Sequence, residues 1–593
     1  MDVDADNFEE ALALLELHLP KAAYVAVDLE MTGIMGPPDT KVCAGDVPQV
    51  QYTKSRAVVC RPYNIVQVGI CLFEERTPGH FECRPFNVFV FPRPFHERDS
   101  EGRQVKVDDH FMGLSASSML FLSGNGLDFN RWVSKGVSYT RGDIEEELLK
   151  TLPGAAKEGS APPAKEGDGG KDGKDKPEPT KPQDVTLVND IMQKVADFAA
   201  SGGQEMKLPN MNAFIALVLR NKIAESHPHL TVEKRANPSN PSWQERWVTN
   251  LSEDGLRARD AVTRQRIMSH IGFRRMWNLL KTHRRPIVLH NGFFDLLFMH
   301  QAFEAPLPHA LEEFKGVLRN CFPNIFDTKV LAEAAVLSGI LGTSRSALPE
   351  LATFLEKKLS QAGAVVETAA GNGSAVVDVD LAAAEVTFGQ PVGNAVTFAM
   401  AEGFGSYTAE GGAGAAFHTA GYDAWQTGRI FGFFRAHLGD AKALDFANRV
   451  YLMFSAFELC ISTETDRLMF DGIARHLYDI DTTALNQRGL VELLKPILEE
   501  GKRQYAIKWC NDNRSLLLVI HGSEDVAADA AERDAIEKCL DGLLEKQVEQ
   551  SRLQFRRLED YVDSMAKAAE VKDERSAGAG AADPSGAKRR RLG

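Results

Sequence analysis

Little in this chain is suited to cross-linking, spanning a bilayer or repeating. Its eight cysteines, at 43, 60, 71, 83, 321, 460, 510 and 539, form no C-x-x-C pair and no dense cluster. That excludes a disulfide framework and reads as the reduced thiols of an intracellular protein. No apolar run approaches the roughly 18 residues of a membrane span, so no membrane partner is expected. The opening MDVDADNFEEA is acidic and lacks the basic-then-apolar pattern of a secretory leader. There is no internal repeat. An excess of positive charge is missing too. Lys+Arg number 68 against 82 Asp+Glu, for a net charge of −14. An acidic average argues against a generic nucleic-acid coat but leaves room for a local basic groove.

What is present is ordinary: 44% hydrophobic and 25% charged residues, which excludes a wholly disordered, collagenous or fibrous chain. At about 150 residues per domain, 593 residues suggest three to four domains. Residues 154–184 are Gly-, Pro-, Lys- and Asp-rich with no large apolar side chain and read as a flexible linker. Residues 361–417 are Gly/Ala/Val-rich and read as a low-complexity insertion whose valine alternation suits a hairpin. The tail over 571–593 is low-complexity and ends in Lys588-Arg589-Arg590-Arg591. That run is either a nuclear import signal or a solvated tail, leaving nucleus and cytoplasm both open.

Between these lie ordered stretches. Residues 1–153 carry the strand-like runs AAYVAVDLE, YNIVQVGICLF and FNVFVFP, the last ending at a proline as edge strands do. Residues 185–250 read as helix, helix, strand, strand. Residues 251–440 read as helix, strand (PIVLH), helix, helix. Residues 441–570 show most of a βαββα order, with strands at QYAIKWCN and SLLLVIHG and a long helix from about Ala527. Residues 218–286 hold 14 Lys/Arg against 6 Asp/Glu. That excess is a solvated helix surface or a phosphate-contacting face.

The chemistry-bearing residues fall in three places. Asp28 and Glu30 end the apolar run Tyr24–Val27, typical of a central buried strand. Carboxylates at i and i+2 of a strand share a face. Burying both is costly unless a cation neutralises them, and oxygen-only donors suit Mg²⁺, with Mn²⁺ as an alternative. Alone, the pair also reads as a strand emerging into solvent. In PIVLHNGFFD a strand ends at His290 and Asn291 is placed to cap a helix holding Asp295 in its first turns. By itself Asp295 also answers the helix dipole. In HTAGYDAW, Asp423 lies early in a helix beside Tyr422 and Trp425. His418 stands just before it, as a proton acceptor or a structural histidine. Together the order D-x-E…D…H-x4-D is a chemically complete two-metal site. Two ions about 4 Å apart would activate a water and steady the leaving oxygen of a phosphodiester.

At these residues the chain resembles the DEDD exonuclease superfamily, in the branch with a histidine five residues before the last aspartate. It resembles most closely the poly(A)-specific ribonuclease (deadenylase) family. The stretches that carry this are YVAVDLEMTGI, YNIVQVGICLF, VFPRPF, SSMLFLSGNGLDFNRWVSKGVSY, PIVLHNGFFD, APLPHALEEFK, FPNIFDTK and HTAGYDAWQTG. The resemblance implies an α/β fold. Its ribonuclease H-like core, a mixed sheet flanked by helices, comprises 1–153 and 251–440. A small single-strand nucleic-acid-binding-like domain, of the kind that carries an arginine–histidine signature, is inserted at 185–250. An RRM-like α+β domain with a long helix follows over 441–570. The resemblance implies Asp28, Glu30, Asp295 and Asp423 as ligands of two Mg²⁺ ions and His418 as general base. It places Ile34, Met119 and Phe121 in an adenosine pocket, where core packing is the alternative, and Trp509 as the tryptophan that stacks on a 5′ cap, where a buried strand tryptophan is the alternative. Arg220 and His227 stand too far apart for the usual arginine–histidine signature, and Met31 replaces a common aromatic. The activity implied is 3′→5′ degradation of poly(A) tails on single-stranded RNA with release of 5′-AMP, by a homodimer. Trimming of small or non-coding RNA 3′ ends, or inert RNA or cap binding, are the alternatives.

Overall fold

The computed structural model of the chain describes residues 1–42, 46–98, 104–108, 111–150, 152, 179, 181–237, 239–334, 346–361, 396–405, 417–455, 457–463, 466–468, 472–479, 505–509, 515–521, 534–542, 545, 553–558, 560, 561 and 563. Most of the 154–184 linker, most of the 361–417 insertion, the helix read from NQRGLVELLKPILEE and the basic tail lie outside these residues. Two compact units are present. One comprises Met1–Phe91, Met112–Val137 and Phe273–Gly593, the other Pro92–Phe111 and Ser138–Gly272.

The first unit holds a ten-stranded mixed sheet. Its order is Asp2–Val3, His80–Phe89, Ile65–Thr77, Tyr24–Met31, Ile287–Leu289, Ile325–Asp327, Arg449–Tyr451, Phe457–Cys460, Arg467–Leu468, with Thr397–Met400 also on His80–Phe89. Tyr24–Met31 runs antiparallel to Ile65–Thr77 on one side and parallel to Ile287–Leu289 on the other. Its apolar start, Tyr24 to Val27, is buried on both faces, as a central strand demands. His80–Phe89 is not an edge strand, despite the proline that follows it. Asp2–Val3 and Thr397–Met400 both pair with it in parallel. Thr397–Met400 lies in the segment read as an insertion, so that segment returns to the main sheet before it ends.

One helix, Ala420–Leu438, lies across Tyr24–Met31, Ile65–Thr77 and His80–Phe89. It is buried over 15 consecutive residues, Ala420 to Phe434. The core beneath it is aromatic. Tyr24 stacks on Phe73 at 4.8 Å between ring centroids and meets Phe431 edge-on at 4.9 Å. The Tyr24 hydroxyl donates to the Gly428 carbonyl at 3.0 Å. The sequence puts glycine where helix and sheet approach most closely. Gly69 is the cross-strand partner of Asp28, and a Cβ there would stand 1.9 Å from the Ala420 carbonyl oxygen. Its absence lets the helix N-terminus settle directly on the sheet.

The second unit carries a three-stranded antiparallel sheet of Glu205–Lys207, Asn240–Asn250 and Leu230–Asn237. Its core draws on the helices Pro182–Ala200 and Ala213–Ser226 through Val188, Ile191, Val195, Ile215 and Leu219, among others. It extends beyond residues 185–250 at both ends. A separate four-stranded antiparallel sheet has the order Tyr505–Trp509, Ser515–His521, Gly472–Asp479, Leu553–Arg557. Leu553–Arg557 falls in the stretch read as helix, yet LQFRR alternates apolar and polar as a strand does. The buried Arg475 of this sheet pairs with Glu537 at 3.1 Å and Asp541 at 3.5 Å on the helix over 534–542.

Gly69→Ala tests the close approach. Forcing a methyl against the Ala420 carbonyl should cost about 1–3 kcal/mol, read as a lower urea midpoint. An unchanged midpoint would show that the helix is not held at this distance.

Candidate active site

Tyr24, Ala26, Asp28 and Glu30 point to one face of their strand. Tyr24 and Ala26 pack into the cluster that includes Tyr422, Trp425 and Phe431. The next two positions on that face are carboxylates, so the apolar core passes directly into the site. The Ala420–Leu438 helix adds Asp423 in its first turn. His418, two residues before that helix, adopts a left-handed backbone with φ 68°. That turn aims its N–H at Asp423, with N to Oδ2 of 3.0 Å. Asp295 is the third residue of Phe293–Met299, and the backbone dipoles of its own N–H and of Leu29, between the two strand carboxylates, work against the rise that burial imposes on its carboxyl.

Asp295 and Asp423 are 8% and 6% exposed. Asp28 and Glu30 are half-buried. Burial is the main reason all four hold their protons to higher pH than usual, with Asp295 and Asp423 pushed up to about 7. Mutual repulsion adds to this. Asp423 and Asp295 raise both Asp28 and Glu30, and Glu30 raises Asp28 further. Burial lowers the His418 imidazole, which keeps it neutral at physiological pH and able to accept a proton. Its ring meets Phe121 edge-on at 4.6 Å.

The donor set fits a hard divalent cation. Ligand atoms of Glu30, His418 and Asp423 all lie within 4.8 Å of one another. Asp423 Oδ1 is buried and has no hydrogen-bond partner. Among the described residues no lysine or arginine pairs with Asp28, Glu30, Asp295 or Asp423. A repelling, partly unpartnered set of carboxylate oxygens is what a bound cation would neutralise.

The other residues read from the sequence fall variously. Phe121 and Ile34 are 47% and 42% exposed, and Phe121 borders the site through His418. Met119 packs against the cluster of Val66, Phe89, Leu122 and Trp132. Trp509 ends the strand Tyr505–Trp509, and its side chain lies outside the described residues. Arg220 lies within the helix Ala213–Ser226 and His227 just after it. Asn291 is not the helix cap. Gly292 takes that place, while Asn291 turns left-handed at φ 55°, because both their N–H groups go to Asp327. Asp327 and Gly69 also shape the site. FPNIFDTK marks Asp327 only by its place between a short apolar strand and a helix start.

Within the basic stretch over 218–286, two groups of cations differ. Arg274 and Lys281 both bind Glu304, at 2.9 and 2.8 Å, and Arg275 binds Glu9. Arg284 and Arg285 donate to the carbonyls of Asn320 and Pro20. These cations stabilise their own fold. Arg257, Arg259, Arg264 and Arg266 are exposed on the helix Glu253–Ile271, where Arg257 and Arg259 pair with Glu253 and Asp260 at 3.3 and 3.2 Å.

Comparison with known proteins gives the family. Residues 3–431 match the CAF1 family ribonuclease model, and the chain belongs to that family. It is 28% identical over 339 residues to the mouse poly(A)-specific ribonuclease PNLDC1, covering 56% of this chain and 57% of that one. It is 24% identical over 456 residues to the human poly(A)-specific ribonuclease PARN, covering 74% and 62%. The chain thus spans somewhat over half the length of these relatives. The magnesium- and manganese-bound form of S. pombe Pop2p aligns at 13% identity with a TM-score of 0.32, over 76% of this chain and 98% of that one.

The buried carboxylates predict how stability depends on pH. In the fold Asp295 and Asp423 keep protons up to about 7, whereas in the unfolded chain they ionise near 4. Between those values the folded state binds more protons, so stability falls as pH rises. In EDTA the melting temperature should drop from pH 5 to pH 8, and Mg²⁺ should raise it most above pH 7. A melting temperature indifferent to Mg²⁺ at pH 8 would contradict the cation site.

Proposed function

We propose that the chain is a Mg²⁺-dependent 3′→5′ exoribonuclease that shortens poly(A) tails and releases 5′-AMP. The observation that carries this is the meeting of Asp28, Glu30, Asp295 and Asp423 with His418 at one site, where among the described residues no lysine or arginine pairs with the carboxylates. Membership of the CAF1 ribonuclease family and the naming of its relatives as poly(A)-specific ribonucleases support the same reading.

Asp28, Glu30, Asp295 and Asp423 would hold two Mg²⁺ ions, with Mn²⁺ able to substitute. Bound there, the ions supply an activated water and offset the charge that develops on the scissile phosphate. The protein does the rest. His418, neutral and hinged on its left-handed backbone, takes the proton from the attacking water. Its N–H to Asp423 keeps the imidazole beside the carboxylates. Phe121 stands on the ring of His418 and offers an exposed aromatic face to a terminal base. Ile34, which is exposed, and Met119, which packs on Val66, Phe89, Leu122 and Trp132, would line the rest of an adenosine pocket.

The same reading extends to the flanking parts. The second unit, with two helices over a three-stranded sheet, suits a small single-strand-binding domain inserted in the nuclease. Its exposed arginines along Glu253–Ile271 suit phosphate contact. In chain order the C-terminal sheet runs second, third, first, fourth strand, the order of a βαββαβ RRM-like domain. Trp509 would there stack on a 5′ cap. A homodimer, acting in nucleus or cytoplasm, completes the reading.

The test uses 5′-labelled RNA ending in oligo(A) or oligo(U), with Mg²⁺ or EDTA. Wild type should shorten the A tail stepwise in Mg²⁺ only, and Asp28→Ala should abolish hydrolysis while RNA is still bound. Shortening of both tails would remove the poly(A) preference and favour a general 3′ trimming enzyme. RNA binding without shortening would replace the nuclease with a binding protein.

A further inference from the structure

Behind the four site carboxylates lies a fifth that the chemistry does not use. Asp327 ends the strand Ile325–Asp327 and is 1% exposed. Among the described residues no lysine or arginine pairs with it. Four backbone N–H groups converge on it instead. Asn291 and Lys329 donate to Oδ1, each at 2.9 Å. Gly292 and Tyr451 donate to Oδ2, at 3.2 and 3.0 Å. Burial pushes this carboxyl up, and the four N–H groups oppose the shift. A carboxylate so surrounded is solvated by dipoles rather than by water.

The donors belong to three segments. Lys329 lies at the start of Asp327's own helix, Thr328–Glu333. Tyr451 lies in the next strand, Arg449–Tyr451. Asn291 and Gly292 form the turn between the strand Ile287–Leu289 and the helix Phe293–Met299. In that turn the left-handed φ of 55° at Asn291 presents two successive N–H groups to one anion, a nest geometry. The turn is backed on its other side by the neighbouring His290, whose Nδ1 lies 2.9 Å from the Thr328 hydroxyl. That hydroxyl donates to the Leu289 carbonyl at 3.1 Å. Three residues beyond Gly292 comes Asp295, in the first turn of that helix.

We propose that Asp327 is a positioning residue: by gathering the N–H groups of Asn291 and Gly292, it sets where Asp295 presents its carboxylate to a divalent ion. This rests on the reading of Asp295 as a metal ligand. Asp327 touches neither substrate nor ion. Its charge also raises Asp295 directly, but its positioning effect travels through one turn of backbone, and small displacements of a ligand carboxylate weaken a site disproportionately.

Asp327→Asn keeps the size of the side chain but turns an NH₂ group toward two N–H donors. Mg²⁺ binding, followed by calorimetry without RNA, and hydrolysis of A-tailed RNA are measured on the full chain. Asp327→Asn should retain its circular dichroism spectrum and bind Mg²⁺ about 10–100-fold more weakly. Raising Mg²⁺ should restore part of the rate. A folded Asp327→Asn with wild-type Mg²⁺ affinity overturns the proposal, since a purely structural role would lower only the melting temperature. If Asp327→Asn does not fold, hydrogen exchange on the wild type decides. The Asn291 and Gly292 amides should exchange slowly, and more slowly with Mg²⁺. Fast exchange, or none of this Mg²⁺ response, overturns the proposal. A wild type that neither binds Mg²⁺ nor cuts RNA defeats the nuclease reading itself, a result distinct from a normal wild type with a normal variant.

Discussion

The repulsion among Asp28, Glu30, Asp295 and Asp423 is the constraint around which this fold is arranged. Carboxylates crowded in a buried pocket favour moving apart, or taking up protons. Here the backbone prevents the first. The turn held by Asp327 precedes the helix of Asp295, the His418 N–H holds Asp423, and the strand geometry fixes Asp28 beside Glu30. The second remains available, and the upward shifts of all four groups record it. A divalent cation relieves both at once, so the energy stored in assembling the site becomes affinity for the ion.

Residues distant in the chain must meet for this to happen, and the packing below the site explains how they do. The face that carries Asp28 and Glu30 continues as Tyr24 and Ala26 into the aromatic cluster under Ala420–Leu438. One helix therefore fixes both the core and Asp423. Gly69 removes the side chain that would hold that helix off. Asn87, buried in the neighbouring strand, accepts the Gly421 N–H at 3.3 Å. On the other side of the central strand, the short parallel strand Ile287–Leu289 stops early. The chain then turns at Asn291 to deliver Asp295.

The parts of this arrangement visible in the sequence are those written in local periodicity. The apolar run before Asp28, the i and i+2 carboxylates and the strand–turn–helix around Asp295 all declare themselves within ten residues. The parallel strands on His80–Phe89 do not, because Asp2–Val3 and Thr397–Met400 are short and gain their meaning only from a distant partner. Asn291 misled for a similar reason. Asparagine suits a helix cap and a left-handed turn alike, and the choice is made by Asp327, 36 residues away. The basic stretch misled in the opposite sense. Its count of charges is real, but Glu9 and Glu304, which absorb three of them, lie outside the window. Leu553–Arg557 is five residues among helix-forming neighbours, too short for its alternation to stand out, and its pairing with Gly472–Asp479 is long-range.

The central claim is that these carboxylates are a cation site. Crystals soaked in Mn²⁺ and measured for anomalous scattering test it most directly. The account predicts anomalous density within bonding distance of the carboxyl oxygens of Asp28, Glu30, Asp295 and Asp423, removed by EDTA. An empty pocket in Mn²⁺-saturated crystals of a preparation that cleaves RNA would contradict it.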